Sequence, residues 1–269
     1  MAHLICRSCG TQFVESAAPP AACPSCLDER RAVPVEGSRW TTLDEMRSSY
    51  RNLFQRIEPN LYGIGTTPHF PIGQRALLVR TADGNYLWDC IALLNDATID
   101  FINGLGGLRA IAISHPHYYS TMVEWSHAFG KVPIYLHVAD EEWVMRPDSA
   151  IHFWKGDRME LGHGLSLIHC GGHFAGGTVL HWAAGPGGKG ALLVGDIIQV
   201  VPDRTHLSFM WSYPGLIPLP ANKVRRVAEA VESLQFDRIY GAWWDRHIEE
   251  GAKEVLARSV QRYLEALRD

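Results

Sequence analysis

Short apolar blocks separated by turn residues run through most of the chain, and their periods predict both strands and helices. Residues 75–80 and 85–89 read as two strands joined through Asp83-Gly84, a pair suited to a tight hairpin turn. Residues 108–114 are a predicted strand and 133–137 a buried one, with a helix at 119–129 that puts Met122, Trp125 and Phe129 on one side. Further strands are expected at 159–161, 165–170, 179–183 and 191–194, the last two separated by a glycine-rich turn. Residues 222–236 carry Val224, Val227, Ala228, Val231 and Leu234 on one stripe, which predicts an amphipathic helix. A strand at 238–243 and a helix at 249–267 close the order, and shorter helices are expected at 93–103 and 140–145. Upstream, Thr41 or Thr42 followed by Asp44 and Glu45 marks a helix start; that helix is predicted to run to about Ile57 and stop before Pro59. Strands mixed with helices in this order predict an α+β fold, two sheets covered by helices on their outer faces.

Composition narrows the function classes. A chain of 269 residues can bury one large core or two modest ones. Its formal net charge of −4 provides no broad basic field, so nucleic acid is not expected as a partner. No segment has the length or apolarity of a membrane span, and none resembles a secretory leader, so a cytoplasmic protein without membrane attachment is the expectation.

The cysteines add a metal. Cys6-Arg7-Ser8-Cys9 and Cys23-Pro24-Ser25-Cys26 form two C-x-x-C pairs. Each pair presents two thiolates to one ion, and two pairs close a tetrahedral four-sulfur site. The Pro- and Ala-rich stretch between them has too little apolar surface to fold alone, so the metal must supply most of its stability. These residues resemble zinc-ribbon and rubredoxin-like knuckles, and the same four sulfurs suit zinc or iron. The expected organisation is a four-cysteine knuckle over 1–36, a linker and helix over 37–60, and a main domain over 61–269. Cys90 and Cys170 lie in apolar stretches and read as inert buried thiols.

The main candidate site lies at strand ends. His115-Pro116-His117 follows the 108–114 strand, His173 follows Gly171-Gly172, and Asp196 ends the run Leu192-Leu193-Val194-Gly195. Two histidines at i, i+2 beyond a strand can aim both rings at one point, and a third imidazole with a carboxylate completes a donor set that zinc or iron accepts. The pattern resembles the metallo-β-lactamase fold superfamily, whose signature reads His-x-His-x-Asp-His, then Gly-His, then Gly-Asp. The resemblance covers about residues 60–269 and implies a four-layer αββα sandwich. It assigns His115, His117 and His173 to the first metal and Asp196 to the later metal-binding aspartate. Tyr119 and Ser120 stand where the signature has its Asp and second His. Ala242 stands where the last histidine ligand would be, and His247 is a candidate substitute. With all three second-metal positions altered, a mononuclear centre is expected.

The expected activity is metal-dependent hydrolysis of a small, partly apolar molecule by one Zn²⁺, with Asp196 and Tyr119 as catalytic candidates. The first alternative is a mononuclear iron oxidoreductase or dioxygenase served by a rubredoxin-like electron-transfer knob, since relatives of this fold include sulfur dioxygenases. The second is a non-catalytic, metal-stabilised binding module. Phe209 to Pro218, rich in aromatics and proline, suits a pocket lining with Trp243 and Trp244, a cover over a core edge, or a homodimer contact.

Overall fold

The computed structural model describes residues 2–31 and 37–268. The chain divides into two compact units, Met1–Leu136 with Glu141–Phe153, and His137–Asp140 with Trp154–Asp269.

In the first unit, strands Ala2–Cys6 and Gln12–Ser16 pair antiparallel and Trp40–Thr41 joins them to make a three-stranded sheet. The pairing of Trp40–Thr41 ties the chain beyond position 36 back to the cysteine segment. A larger sheet follows the order Ile151–Trp154, Ile134–His137, Leu108–Ala112, Gly84–Trp88, Arg75–Thr81, Leu61–Thr67, Arg51–Glu58. The expected hairpin is present, with Thr81 opposite Gly84. Leu108–Ala112 then runs parallel to Gly84–Trp88, which brings the turn beginning at Ser114 next to Asp89.

One expectation in this unit is corrected. The helix begins as predicted, with Thr42 and Glu45 bonding each other's backbone N–H in a capping box, but it ends at Ser49. Arg51–Glu58 is a strand paired antiparallel with Leu61–Thr67. Its inward positions include Phe54, whose ring stacks on Phe101 with centroids 4.2 Å apart. Pairing with the strand beyond the Pro59-Asn60 turn, and Phe101 to receive Phe54, prevail over the local helical preference. The 93–103 helix is found at Asp96–Gly104, and Leu105 to Gly107 form its terminal turn into the next strand.

The second unit holds a sheet ordered Arg158–Gly162, Leu165–His169, Thr178–Trp182, Ala191–Gly195, Arg238–Gly241, His247–Ile248. The predicted stripe packs on it from the Ala221–Glu232 helix, where Val224, Val227 and Val231 are fully buried. Ala252, Val255 and Leu256 of the Ala252–Ala266 helix join the same core, which includes Leu192, Val194 and Ile239. Each such large aliphatic side chain contributes about 1.5–3 kcal/mol on burial. Phe209 and Leu219 belong to this core as well, so the aromatic run covers a core edge. Its tip, Leu216 and Ile217, is exposed. Among the described residues no helix is long and apolar enough to cross a membrane.

Candidate metal centre

His115 follows the Leu108–Ala112 strand and opens a short 3-10 turn, Pro116–Tyr118, that carries His117. The two imidazoles meet edge to face at 5.0 Å between centroids, and the ring of Tyr118 lies edge-on to His115 at the same distance. Nδ1 of His115 is 2.9 Å from the Ser114 hydroxyl. The Ser114 N–H donates to the Asp89 carboxylate at 2.8 Å, so the acidic end of the first hairpin fixes the approach to this turn. Tyr119 is 3% exposed and its N–H donates to the Pro116 carbonyl at 3.2 Å.

In the second unit, His173 lies on a tightly folded loop. Gly177 donates to the Phe174 carbonyl, and its own carbonyl accepts from Cys170 and Gly171. A Cβ on Gly177 would sit 2.2 Å from the Gly171 oxygen, so only glycine fits. The Gly176 N–H donates to Asp140 at 2.8 Å and pins the loop from the other side. Nδ1 of His173 lies 3.1 Å from the Met210 carbonyl. That oxygen can only accept, so Nδ1 carries the proton and Nε2 is the basic nitrogen, as ligand histidines require. Asp196 follows Gly195, and its backbone carbonyl accepts from the Tyr213 hydroxyl at 2.7 Å. Burial, and then the charge of Asp196, push the Tyr213 phenol well above its ordinary value, so it stays a neutral donor.

One ligand atom from each of His115, His117, His173 and Asp196 lies within 4.8 Å of the others, and all four residues are buried. Three imidazoles and a carboxylate suit zinc or iron. His247 lies outside the group and pairs with Glu249 at 3.1 Å. Ala242 is buried and offers no donor side chain.

The four knuckle cysteines form a second group. Their sulfurs pair Cys6 with Cys26 and Cys9 with Cys23, each at 3.6 Å. A tetrahedron of sulfurs about 2.3 Å from one ion has edges of about 3.8 Å, so the set fits a single zinc or iron. Hydrogen bonds from Cys23 and Cys26 hold the Cys9 thiol well below its ordinary value, with the Arg31 charge a smaller cause. Cys90 and Cys170 are fully buried, and burial pushes Cys170 up to about 12, in line with inert thiols.

Solved structures share this architecture. The DIM-1 metallo-β-lactamase aligns with a TM-score of 0.61 at 14% identity, covering 81% of this chain and 98% of that one. FIM-1 from Pseudomonas aeruginosa, in its mono-zinc form, aligns at 0.57 with 14% identity over 78% of this chain and 95% of its own. The chain has the metallo-β-lactamase fold. The four-layer αββα expectation is met at that level, with the cysteine group added at the N-terminus. An enzyme of this fold from Hirschia baltica gives a TM-score of 0.53 at 16% identity, over 79% and 97% of the two chains. No family model matches this chain. The uncharacterised protein YmaE of Bacillus subtilis (strain 168) is 50% identical over 269 residues, 99% of this chain and 97% of YmaE. This metallo-β-lactamase-fold chain and YmaE belong to one family.

Sequence reasoning missed the residues that orient the ligands: Asp89, Ser114 and the Met210 carbonyl. Ser114 was detectable as a hydroxyl directly before His115. A backbone carbonyl far along the chain leaves no signal in sequence.

Proposed function

We propose that the protein is a metal-dependent hydrolase that uses one Zn²⁺ held by His115, His117, His173 and Asp196 to act on a small, partly apolar substrate. The observation that carries this reading is the buried three-histidine, one-aspartate group in a chain whose second-metal positions are Tyr119, Ser120 and Ala242. That FIM-1 has a mono-zinc form supports the idea that the fold can hold a single ion. Zinc bound there would supply a polarised water and a Lewis acid for a carbonyl. Tyr119 is the donor we assign to negative charge developing on the substrate oxygen, and Asp196 the carboxylate able to hold a proton. Ser114 and the Met210 carbonyl orient the imidazoles that form the donor set.

The test is hydrolysis of a panel of small esters, thioesters and lactams by the purified full-length protein. Activity should disappear with a chelator, return with zinc and be absent from His173→Ala. Loss of activity on zinc loading, with return on ferrous iron and dioxygen, would replace this reading by the oxidoreductase alternative. Tight metal binding with no turnover of any substrate would favour the binding module.

A further inference from the structure

The cysteine knuckle is bonded to the turn that carries His115 and His117. The Ser120 hydroxyl donates to the Gly10 carbonyl at 3.4 Å, and the Ser120 carbonyl accepts from the Gln12 N–H at 3.1 Å. Gly10 has a φ of +78°, and a Cβ there would lie 3.4 Å from the Ser120 oxygen and 3.3 Å from Pro71. Ser120 itself adopts a φ of +44°, a strained value for a residue with a side chain. Arg31, in the segment that follows Cys26, donates from its guanidinium to the His117 carbonyl at 3.2 Å. The Gln12 side chain donates to Glu124 on the helix that follows the turn, and Arg146 closes this network on Glu124 at 2.6 Å. The backbone of the signature position that elsewhere in the fold offers a metal-binding histidine is here bonded to protein.

Little of the knuckle's own apolar surface is buried beyond its sulfurs, although Ile5 is buried in a separate cluster with Met46, Phe70, Ala92 and Leu93. Its buried cluster is Cys6, Cys9, Cys23 and Cys26 with Phe13, flanked by Trp40 and Met145. Gly10 and Gln12 follow Cys9, and Arg31 follows Cys26, so an ion shared by the four sulfurs would hold these positions further.

We infer that the four-cysteine knuckle is a brace for the main centre: an ion held by Cys6, Cys9, Cys23 and Cys26 raises the affinity of the His115, His117, His173 and Asp196 group for its own ion, with Arg31 and Ser120 as positioning residues. The inference rests on the reading that the second group holds a metal. The linkage is reciprocal, so an ion at the histidines also tightens the cysteine site.

Full-length protein loaded with cobalt separates the two groups, because only the cysteine ion gives thiolate-to-metal bands. Zinc affinity at the histidine group is then measured by chelator competition. Cys9→Ser should lose the thiolate bands and weaken the histidine group about 10–100-fold, the range for groups that orient metal ligands. Arg31→Ala should keep the thiolate bands and still weaken the histidine group about tenfold, while Arg31→Lys, which can donate to the same carbonyl, should recover most of the loss. If Cys9→Ser fails to fold, the two Arg31 variants decide. Histidine-group affinity within about twofold of wild type in Arg31→Ala, or in a folded Cys9→Ser, overturns the brace. Wild-type protein that binds no ion at the histidines overturns the underlying reading as well, and the two failures are distinguished by the wild-type titration.

Discussion

The hydroxyl of Ser114 lies 2.9 Å from Nδ1 of His115. The contact fixes the orientation of the imidazole ring, and the Asp89 carboxylate holds the Ser114 N–H at 2.8 Å behind it. Ser114→Ala should leave the fold unchanged by circular dichroism and lower zinc affinity of the histidine group about 10–100-fold. Chelator competition measures it. Unchanged affinity would mean that His115 is oriented by its packing against Tyr118 alone.

Tyr119→Phe and His173→Ala should behave differently. His173 is one of the four donors, so its removal should release the ion and abolish any hydrolysis. Tyr119→Phe should keep the ion and cost about 10²–10³ in turnover, the usual worth of a preorganised donor to an oxyanion. Metal content and single-substrate kinetics on the two variants check this. Full activity in Tyr119→Phe would make the tyrosine a packing residue only.

Gly177→Ala should destabilise the loop that carries His173. The added Cβ meets the Gly171 oxygen at 2.2 Å, and backbone cannot move aside cheaply. A loss of about 1–3 kcal/mol or more is expected in urea unfolding, with weakened metal binding. A variant as stable as wild type would show that the loop has slack.

Cys23→Ser should release one metal per chain and expose the cysteine segment to limited proteolysis while the main domain stays folded. Equal protection in the variant would contradict a metal-built knuckle.

His137 supplies a pH dependence. Burial, and then the neighbouring His169 charge, push its pKa down to about 4. The two rings stack with centroids 3.9 Å apart. An unfolded histidine titrates near about 6.5. Between about 6.5 and about 4 the unfolded chain therefore binds the extra proton, and this residue's contribution to stability is complete above that window and falls as pH drops through it. Denaturant unfolding of wild type and His137→Phe from about pH 7 to about pH 4 should show a steeper loss in the wild type. Parallel curves would place the acid sensitivity elsewhere.

Much of the main domain and its site is written in local patterns. The Leu108–Ala112 strand, the His115 turn, the Gly171–Gly172 approach to His173 and the stripe of the Ala221–Glu232 helix each follow from periodicity or from a residue type with one geometric use. Arg51–Glu58 did not follow, because Phe54 becomes an inward strand residue only once Phe101 is in place to receive it. The strands of the knuckle were missed for a similar reason: Ala2–Cys6 and Gln12–Ser16 are short, and they pair with each other and, through Ala2–Cys6, with the distant Trp40–Thr41. The role of Arg31 at the His117 carbonyl depends on a contact across 86 positions of chain, which no window of sequence displays.

The protein should hold one ion at the histidines and one at the cysteines. Native mass spectrometry of full-length protein, titrated with zinc and washed of loosely bound ions, counts them directly. Two zinc per chain are expected in wild type, one in Cys23→Ser and one in His173→Ala. A third tight equivalent in wild type would contradict a mononuclear centre. Two retained in His173→Ala would remove His173 from the donor group.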